Sequence, residues 1–321
     1  MTFEETLSWN PAWRRPIICP CETELYDPTE SGCCKYKWNT CQKNPGHTNF
    51  ITMSEFNLDH LPIRDPLIFQ VIQALSSLTV KIEVNYISEH RPDIIKDAGI
   101  FYPYFTHKGN NTLRRTGSGR VFHVAMKFNN CPCSLCKSSS IPNRKYWLIS
   151  VATATHVVFD SSEAKLSKCH FSFDSDSSQS IVLECLKLEP VPDIEKDTCS
   201  LLCVTHDSDF AVSLHKSVYE YYNLDRQVSV KYKDSRNVHR LAAIVSHPHG
   251  CSKRVSIGTW QERLETTSFG PEMADTKYIY NTCTCPGSSG APVYILGKEL
   301  WYNHSHSGAG ALGNYSGIKW E

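Results

Sequence analysis

Residues 285–293 read CPGSSGAPV, a short stretch with two serines between glycines. A serine hydroxyl becomes an effective nucleophile only when a base removes its proton and fixed donors hold the negative charge that develops on the substrate. Glycines on both sides of a serine permit a tight turn that exposes the hydroxyl and turns backbone N–H groups inward. The stretch makes Ser289 a candidate nucleophile, and a flexible glycine-serine loop is the alternative.

Two upstream stretches contain the side chains that would activate such a serine. Residues 148–158 (LISVATATHVV) run from an apolar strand through small residues to His156, whose imidazole titrates near neutral pH. Residues 207–214 (DSDFAVSL) place two aspartates before an apolar run, which predicts a strand that begins at Asp209. Each stretch alone has an ordinary explanation: a partly buried histidine, and an aspartate that caps a turn.

The order His156, Asp209, Ser289 resembles that of the chymotrypsin/trypsin-like serine proteases. The family motifs are a TAAH-like tetrapeptide, a D-x-A-[VL] strand and GDSGGP. They are matched by Thr153-Ala154-Thr155-His156, Asp209-Phe210-Ala211-Val212 and Gly287-Ser288-Ser289-Gly290-Ala291-Pro292. Gly117-Ser118-Gly119 also resembles a strand opening of the intracellular Deg-type branch, and the resemblance covers roughly residues 70–321.

The resemblance implies an all-β fold of two packed six-stranded antiparallel barrels, and a serine endopeptidase that works through an acyl-enzyme. Ser289 would attack the scissile carbonyl, His156 would carry the proton, and Asp209 would orient the imidazole, with Asp207 as the rival acid. The backbone N–H groups of Gly287 and Ser289 would form the oxyanion hole. The expected partner is a polypeptide substrate, and catalysis needs no cofactor.

The chain departs from the family at the substrate pocket and beside the nucleophile. Ser288 replaces the aspartate that secreted zymogens use in activation, so activation of that type is not expected. Cys283 stands where trypsin-like enzymes place a pocket carboxylate, so a preference for lysine or arginine is not expected. His306 lies in a segment that resembles the pocket wall of picornavirus-type proteases, where a histidine reads glutamine. An ordinary surface or core histidine is the alternative.

The remaining sequence divides into an extension and a strand-rich region. Residues 1–65 are predicted to be a cysteine-rich, irregular N-terminal extension, and residues 66–78 (PLIFQVIQALSSL) a short amphipathic helix. The protease domain is predicted at 66–321, with the first barrel at about 79–215 and the second at about 225–321. The candidate strands are 79–87, 118–128, 146–155, 164–173, 181–188, 201–205, 210–214, 227–233, 240–246, 253–260, 277–282, 291–296 and 300–306.

The chain contains 15 cysteines, and their clustering raises the question of a metal. The spacing of Cys131, Cys133 and Cys136 brings three thiols close enough to share one tetrahedral zinc. A structural zinc would need a fourth ligand from elsewhere, for instance the cysteines between 19 and 41. Free or paired thiols are the alternative interpretation. His247 and His249 also admit a metal interpretation, although a turn between strands is favoured.

The overall charge narrows the class of function. Lysine plus arginine (33) equals aspartate plus glutamate (33), which argues against a surface that follows a nucleic acid backbone. No apolar run has the roughly 18 residues that a membrane span needs. The N-terminus lacks a signal-peptide pattern, which favours an intracellular protein, and secretion with a longer N-terminus is the alternative. The rival functions are an inactive binding module on the same fold and a zinc-stabilised interaction protein.

Overall fold

The computed structural model describes residues 21–26, 33–95, 99–189, 192–270, 273–298 and 303–320. Cys19 and the beginning of the predicted strand 300–306 lie outside the described residues. The α-helices are α1 (Cys33–Asn39), α2 (Pro66–Leu78), α3 (Ser134–Lys137), α4 (Ser161–Lys165), α5 (Ser208–Tyr232) and α6 (Arg236–His239). None of the helices in the described ranges combines the length and apolarity that crossing a bilayer requires.

Short antiparallel strands make up most of the described chain. In order they are β1 (Leu25–Tyr26), β2 (Ile51–Thr52), β3 (Thr79–Val84), β4 (Ile94–Ile95), β5 (Ile100–Phe101), β6 (Arg114–Lys127), β7 (Tyr146–Thr153), β8 (Ser167–Phe171), β9 (Ile181–Leu188), β10 (Cys199–Thr205), β11 (Leu241–Ser246), β12 (Arg254–Gly270), β13 (Met273–Tyr280), β14 (Pro292–Ile295), β15 (His304–Gly310), β16 (Gly313–Ser316) and β17 (Lys319–Trp320).

The strands close into two six-stranded antiparallel barrels, as the sequence predicts. In the first barrel the order is β6-β3-β8-β9-β10-β7, and β7 pairs back to β6. In the second the order is β13-β16-β15-β14-β11-β12, and β12 pairs back to β13. Closure leaves each of these strands paired on both edges. The chymotrypsin-like two-barrel architecture that the resemblance implies is therefore confirmed.

Strand β11 connects the two hydrophobic cores of the molecule. Ala243 and Val245 belong to the core that the first barrel shares with α2 and α5, whereas Ala242 and Ile244 belong to the core of the second barrel. Successive side chains of a strand point to opposite faces, so an apolar run such as LAAIVS can serve both cores at once. The barrels are thus fixed relative to each other close to the loop that carries Ser289.

Helix α2 forms where the sequence predicts it. Pro66 occupies the first turn, where its missing N–H costs nothing, and the Asp65 carboxylate caps the helix by accepting from the Leu67 N–H at 3.0 Å. The residues that it buries recur every three or four positions, which is the period of one helix face. They are Ile68, Val71, Ile72, Ala74, Leu75, Ser76 and Leu78.

Helix α5 corrects the sequence interpretation, which predicted strands at 210–214 and 227–233. The segment is one helix of 25 residues that separates the strands of the two barrels. Its buried residues follow a helical period, and they are Ala211, Leu214, Val218, Tyr221, Asp225, Val228, Ser229 and Tyr232. Short windows of this stripe look like alternating strands, and the period becomes visible only over the whole segment.

The N-terminal extension is part of both barrels rather than a separate appendage. Strand β1 pairs with β6 of the first barrel, and β2 pairs with β12 of the second. Between these strands, α1 and a 3₁₀ turn at Pro45–His47 bring polar side chains of the extension next to the loop of Ser289. The domain division at residue 65 stays a prediction.

Candidate active site

His156 and Asp197 form a buried hydrogen-bonded pair at the first barrel. The Nδ1 atom of His156 lies 2.8 Å from the Asp197 carboxylate, and the backbone N–H of His156 donates to the same carboxylate at 3.0 Å. The Ser307 hydroxyl donates to that carboxylate as well. The opposite ring atom, Nε2, is buried and has no hydrogen-bond partner among the described residues. The imidazole is therefore oriented on one side and available on the other.

Asp197 lies in a tight turn directly before β10. Asp193 and Thr198 pair across this turn, and Asp197 between them has a left-handed backbone with φ of 51°. Aspartate is one of the few residues other than glycine that adopt this conformation readily, so Asp197 suits the turn. The surrounding turn thus holds the carboxylate under His156.

The assignment of Asp209 as the acid of the site is wrong, and so is that of its rival Asp207. Asp209 is exposed in the first turn of α5, where a negative charge is favourable at the positive end of the helix dipole. Asp207 is the N-cap residue of α5 and accepts from the Phe210 N–H at 2.9 Å. Both residues stabilise a helix, and Asp197 takes the position beside the imidazole.

A buried ion cluster fixes the backbone that carries His156. Glu163 is fully buried and pairs with both Arg91 and Arg115. Arg91 also donates to the carbonyl of His156 at 3.0 Å, and Arg115 donates to the carbonyl of Val157 at 2.9 Å. The two guanidinium groups therefore tie the residues of the site to a single carboxylate.

The Ser289 loop is held by close contacts that only glycine permits. Gly287 has φ of +93° and Gly290 has φ of +82°. A Cβ on Gly290 would lie 2.1 Å from the Thr153 hydroxyl, so any larger residue would push the loop off the first barrel. The Ser118 N–H donates to the carbonyl of Ser289 at 2.8 Å and secures the same approach. The oxyanion-hole role of the Gly287 and Ser289 N–H groups stays a prediction.

Residues 21–22 of the N-terminal extension contact the Ser289 side chain and β15. The Ser289 hydroxyl donates at 2.7 Å to the backbone carbonyl of Glu22. The Glu22 N–H donates to the Ser307 carbonyl at 3.4 Å, and Cys21 forms an antiparallel bridge with Gly308. The Cys21 thiol lies within 4.8 Å of ligand atoms of His156 and Asp197. Residues 21–22 thus lie as a strand along β15 with the Glu22 carbonyl at the nucleophile.

The Glu22 side chain enters a pocket that is built for a carboxylate. His306 Nε2 lies 2.8 Å from one Glu22 oxygen, and the Tyr280 hydroxyl lies 2.7 Å from Nδ1 of the same ring. Lys43, from the extension, pairs with the other oxygen and is held by the Thr284 hydroxyl at 3.0 Å. Burial, and then the charge of Lys43, lower the pKa of His306 well below its usual value. The ring is therefore neutral, and Lys43 supplies the positive charge.

The structure brings His306 to the pocket but assigns no such contact to Cys283. The Cys283 thiol accepts from the side-chain amide of Asn49 at 3.5 Å and is half-buried. The carboxylate of Glu22 is instead contacted by His306 and Lys43. The role that the sequence suggests for Cys283 at the pocket stays a prediction.

The charge state of His156 depends on Asp197. Burial lowers the pKa of the imidazole, but the Asp197 charge, together with Cys21, raises it to about 10. The interaction with His156 keeps the pKa of Asp197 below its usual value in spite of burial. With the cleft occupied, the pair is therefore an imidazolium and a carboxylate at neutral pH.

Cys131, Cys133 and Cys136 meet His206, which lies at the end of β10. His206 Nε2 is 3.1 Å from the Cys131 sulfur and 3.6 Å from that of Cys136. One ligand atom from each of the four residues lies within 4.8 Å of all the others. The fourth partner therefore comes from His206 and not from the cysteines between 19 and 41.

The sequence interpretation missed Asp197, Glu22, Lys43 and His206 as parts of these clusters. Asp197 carries a usable signal, because it lies two residues before the start of the apolar strand CSLLCVT. The resemblance of DFAV to the family motif favours Asp209 instead. Glu22 and Lys43 belong to an extension without secondary-structure periodicity, so only the three-dimensional contacts identify them.

No family model matches the chain, and no curated protein matches it. Among solved structures, the active form of the Rv3671c protease from M. tuberculosis is 14% identical, with coverage of 79% of this chain and 81% of that chain and a TM-score of 0.38. The serine endoprotease from Yersinia pestis is 12% identical, with coverage of 78% and 60% and a TM-score of 0.36. The HtrA-type protease AlgW with a decapeptide is 12% identical, with coverage of 78% and 62% and a TM-score of 0.34.

Proposed function

We propose that the protein is a serine endopeptidase in which Ser289, His156 and Asp197 form the catalytic triad. The observation that carries the proposal is the buried His156–Asp197 pair, whose Nε2 has no hydrogen-bond partner among the described residues. One short segment reaches both sides of the site, with the Cys21 thiol near this pair and the Glu22 carbonyl at the Ser289 hydroxyl. Such a pair fixes the imidazole tautomer and stabilises the imidazolium that forms during catalysis.

The reaction uses Ser289 as the nucleophile. Its Oγ forms a bond to the carbonyl carbon of the substrate while its proton passes to Nε2 of His156. The C–N bond then breaks, and the imidazolium returns the proton to the leaving amine. Water releases the acyl group by the same steps in reverse order. Asp197 stays ionised throughout and holds the ring.

The pocket contacts favour cleavage after glutamate. The Glu22 carboxylate is paired with Lys43 and hydrogen-bonded by His306, whose ring Tyr280 holds in place. A lysine or arginine side chain would meet Lys43 there, and an apolar side chain would leave polar groups without partners. The substrate class is therefore a polypeptide with an acidic residue on the acyl side of the scissile bond.

The segment at Cys21 and Glu22 keeps the enzyme in a latent state. The Ser289 hydroxyl donates its hydrogen bond to the Glu22 carbonyl oxygen and makes none to His156. With His156 protonated, the ring cannot act as a base. Activity requires the segment to leave the cleft, after which the Ser289 side chain can rotate toward Nε2.

A serine-directed fluorophosphonate probe tests the enzyme proposal. We expect labelling of the wild type that increases when truncation removes residues 1–24, and none in Ser289→Ala. Ser288→Ala is the matched control, because the Ser288 hydroxyl faces Ser246 at 3.1 Å and is outside the triad. The absence of labelling in the truncated chain, with the fold intact by circular dichroism, would favour the inactive binding module.

We propose in addition that Cys131, Cys133, Cys136 and His206 hold a structural zinc. Their short S–N separations suit one tetrahedral ion on the first barrel, separate from the triad. Elemental analysis of protein purified without chelator should find zinc that Cys136→Ser removes. Retention of the same zinc content in Cys136→Ser would contradict this assignment.

A further inference from the structure

We propose that Cys41, His47, His249 and Cys285 form a second tetrahedral zinc site, which fastens the N-terminal extension to the nucleophile loop. Cys41 and His47 belong to the extension. His249 lies in the 3₁₀ turn Pro248–Gly250 between β11 and β12, and Cys285 lies four positions before Ser289. The site therefore joins three segments that are distant in sequence.

The separations between these side chains match those of ligands around one ion. The Cys41 and Cys285 sulfurs are 3.6 Å apart, and the Cys285 sulfur is 3.4 Å from Nε2 of His47. Zn–S bonds of about 2.3 Å and Zn–N bonds of about 2.0 Å in a tetrahedron place the sulfurs roughly 3.8 Å apart and S–N pairs roughly 3.5 Å apart. A disulfide would need about 2.05 Å between the sulfurs. One ligand atom of each residue lies within 4.8 Å of all the others.

The groups around the four side chains suit zinc ligands. The Glu24 carboxylate lies 3.1 Å from Nδ1 of His249, which leaves Nε2 to face the cluster. That Nε2 atom is buried and has no hydrogen-bond partner among the described residues. A carboxylate on the far nitrogen of a metal-bound histidine fixes its tautomer and raises its basicity.

Asn44 directs donors at both sulfurs. Its backbone N–H donates to Cys41 at 3.5 Å, and its side-chain amide donates to Cys285 at 3.1 Å. Donors of this kind stabilise thiolates, the form in which cysteine binds zinc. Two thiolates and two neutral imidazoles balance the charge of one Zn²⁺ ion.

Both histidines have a left-handed backbone. His47 has φ of 50° and His249 has φ of 54°, a conformation in which histidine is enriched among residues other than glycine. Trp38 stacks on the His47 ring with centroids 3.7 Å apart and holds it toward the cluster.

An ion at this site would connect the Glu22 pocket to the nucleophile loop. Lys43 lies between Cys41 and His47 in sequence, so an ion bound by both residues would fix the loop that carries the pocket charge. On the other side, Cys285 is the residue from which the Gly287–Ser289 turn begins. The ion would therefore fix the position of Lys43 relative to the nucleophile loop without contacting the substrate.

Zinc content of the full-length chain tests the proposal. Cys285→Ser is expected to contain one zinc fewer per chain than Cys283→Ser, the matched control two positions away whose thiol bonds Asn49 instead. His47→Asn should lose the same equivalent, whereas the exposed His60→Asn should keep it. Equal zinc content in Cys285→Ser and Cys283→Ser would overturn the site.

Cobalt substitution keeps the test valid if a variant folds poorly. Wild-type protein loaded with Co²⁺ should show tetrahedral absorption bands with thiolate charge transfer, and the Cys136→Ser chain, which keeps only this second site, should show a spectrum for two thiolate ligands. A Cys136→Ser chain without any cobalt spectrum, or a Cys41–Cys285 disulfide in its mass spectrum, would overturn the site and leave the triad proposal untouched.

Discussion

The hydroxyl of Ser289 donates to the backbone carbonyl of Glu22 at 2.7 Å, although 267 residues separate the two in sequence. The nucleophile is buried under this contact, and the Glu22 side chain fills the pocket beside it. Under the proposed function, Glu22 occupies the cleft as a substrate residue would, and its departure would expose Ser289.

Glu22→Ala should activate the protein toward substrates added in trans. The variant loses the contacts to Lys43 and His306, and hydrogen bonds to charged groups contribute roughly 1.5–3 kcal/mol, so we expect probe labelling to accelerate about tenfold or more. Labelling kinetics at neutral pH provide the measurement. Glu55→Ala, at an exposed glutamate of the same extension, should leave the rate unchanged. A labelling rate in Glu22→Ala equal to that of the wild type would refute latency.

Asp197→Asn should abolish most of the activity, whereas Asp209→Asn should not. The amide cannot stabilise the imidazolium and favours the wrong tautomer of His156, which costs on the order of 10⁴ in kcat in enzymes with this triad. Asp209 lies exposed at the start of α5, so its loss affects only the helix. Peptide hydrolysis by both variants in the truncated chain measures the difference. Equal activities of the two variants would contradict the assignment of Asp197 as the acid of the triad.

The contrast between these two aspartates shows how far the sequence carries. Alternating apolar residues predict strands such as β3, because one-sided burial imposes a period of two, whereas β11 is predicted from a continuous apolar run. The candidates His156 and Ser289 can be predicted from local motifs, because close packing of the backbone requires glycines and small residues beside them. Asp197 and Glu22 cannot be predicted in this way, because they lie in a turn and an extended segment that have no sequence periodicity. Helix α5 is not predicted, because the helical spacing of its buried residues becomes visible only over the full 25 residues.

Lys43→Met should change the choice of substrate. Lys43 pairs with the Glu22 carboxylate, and burial lowers the pKa of its ammonium to about 8, so the charge is present at pH 7 and lost at higher pH. In the chain truncated after residue 24, we expect kcat/KM for peptides with glutamate before the scissile bond to fall about 10- to 100-fold, with little change for glutamine peptides. Lys37→Met is a control outside the pocket contacts. An unchanged glutamate-to-glutamine ratio would exclude Lys43 as a determinant of specificity.

Glu163→Ala should destabilise the fold around His156. The substitution leaves Arg91 and Arg115 as buried charges without their carboxylate, which costs roughly 3–5 kcal/mol in comparable buried pairs. Denaturant unfolding in a Ser289→Ala background measures the loss without self-digestion. Glu189→Ala, at a surface pair with Lys187, should cost under about 1 kcal/mol. Similar losses in the two variants would show that the cluster does not support the site.

The pH dependence of stability should report the protonated state of His156. Its pKa is raised from 6.5 to about 10 by Asp197, so the stability that its proton contributes is fully present below pH 6.5 and is lost as the pH rises through about 10. The measurement is the difference in unfolding free energy between Ser289→Ala and Ser289→Ala/His156→Gln. Lys43 and Lys319, whose pKa values burial lowers to about 8, act in the opposite sense in both chains and cancel. We expect the difference to shrink steadily from pH 6.5 to 10. A difference that stays constant or grows over this range would show that His156 is neutral beside Asp197, and that the closed cleft does not disable the base.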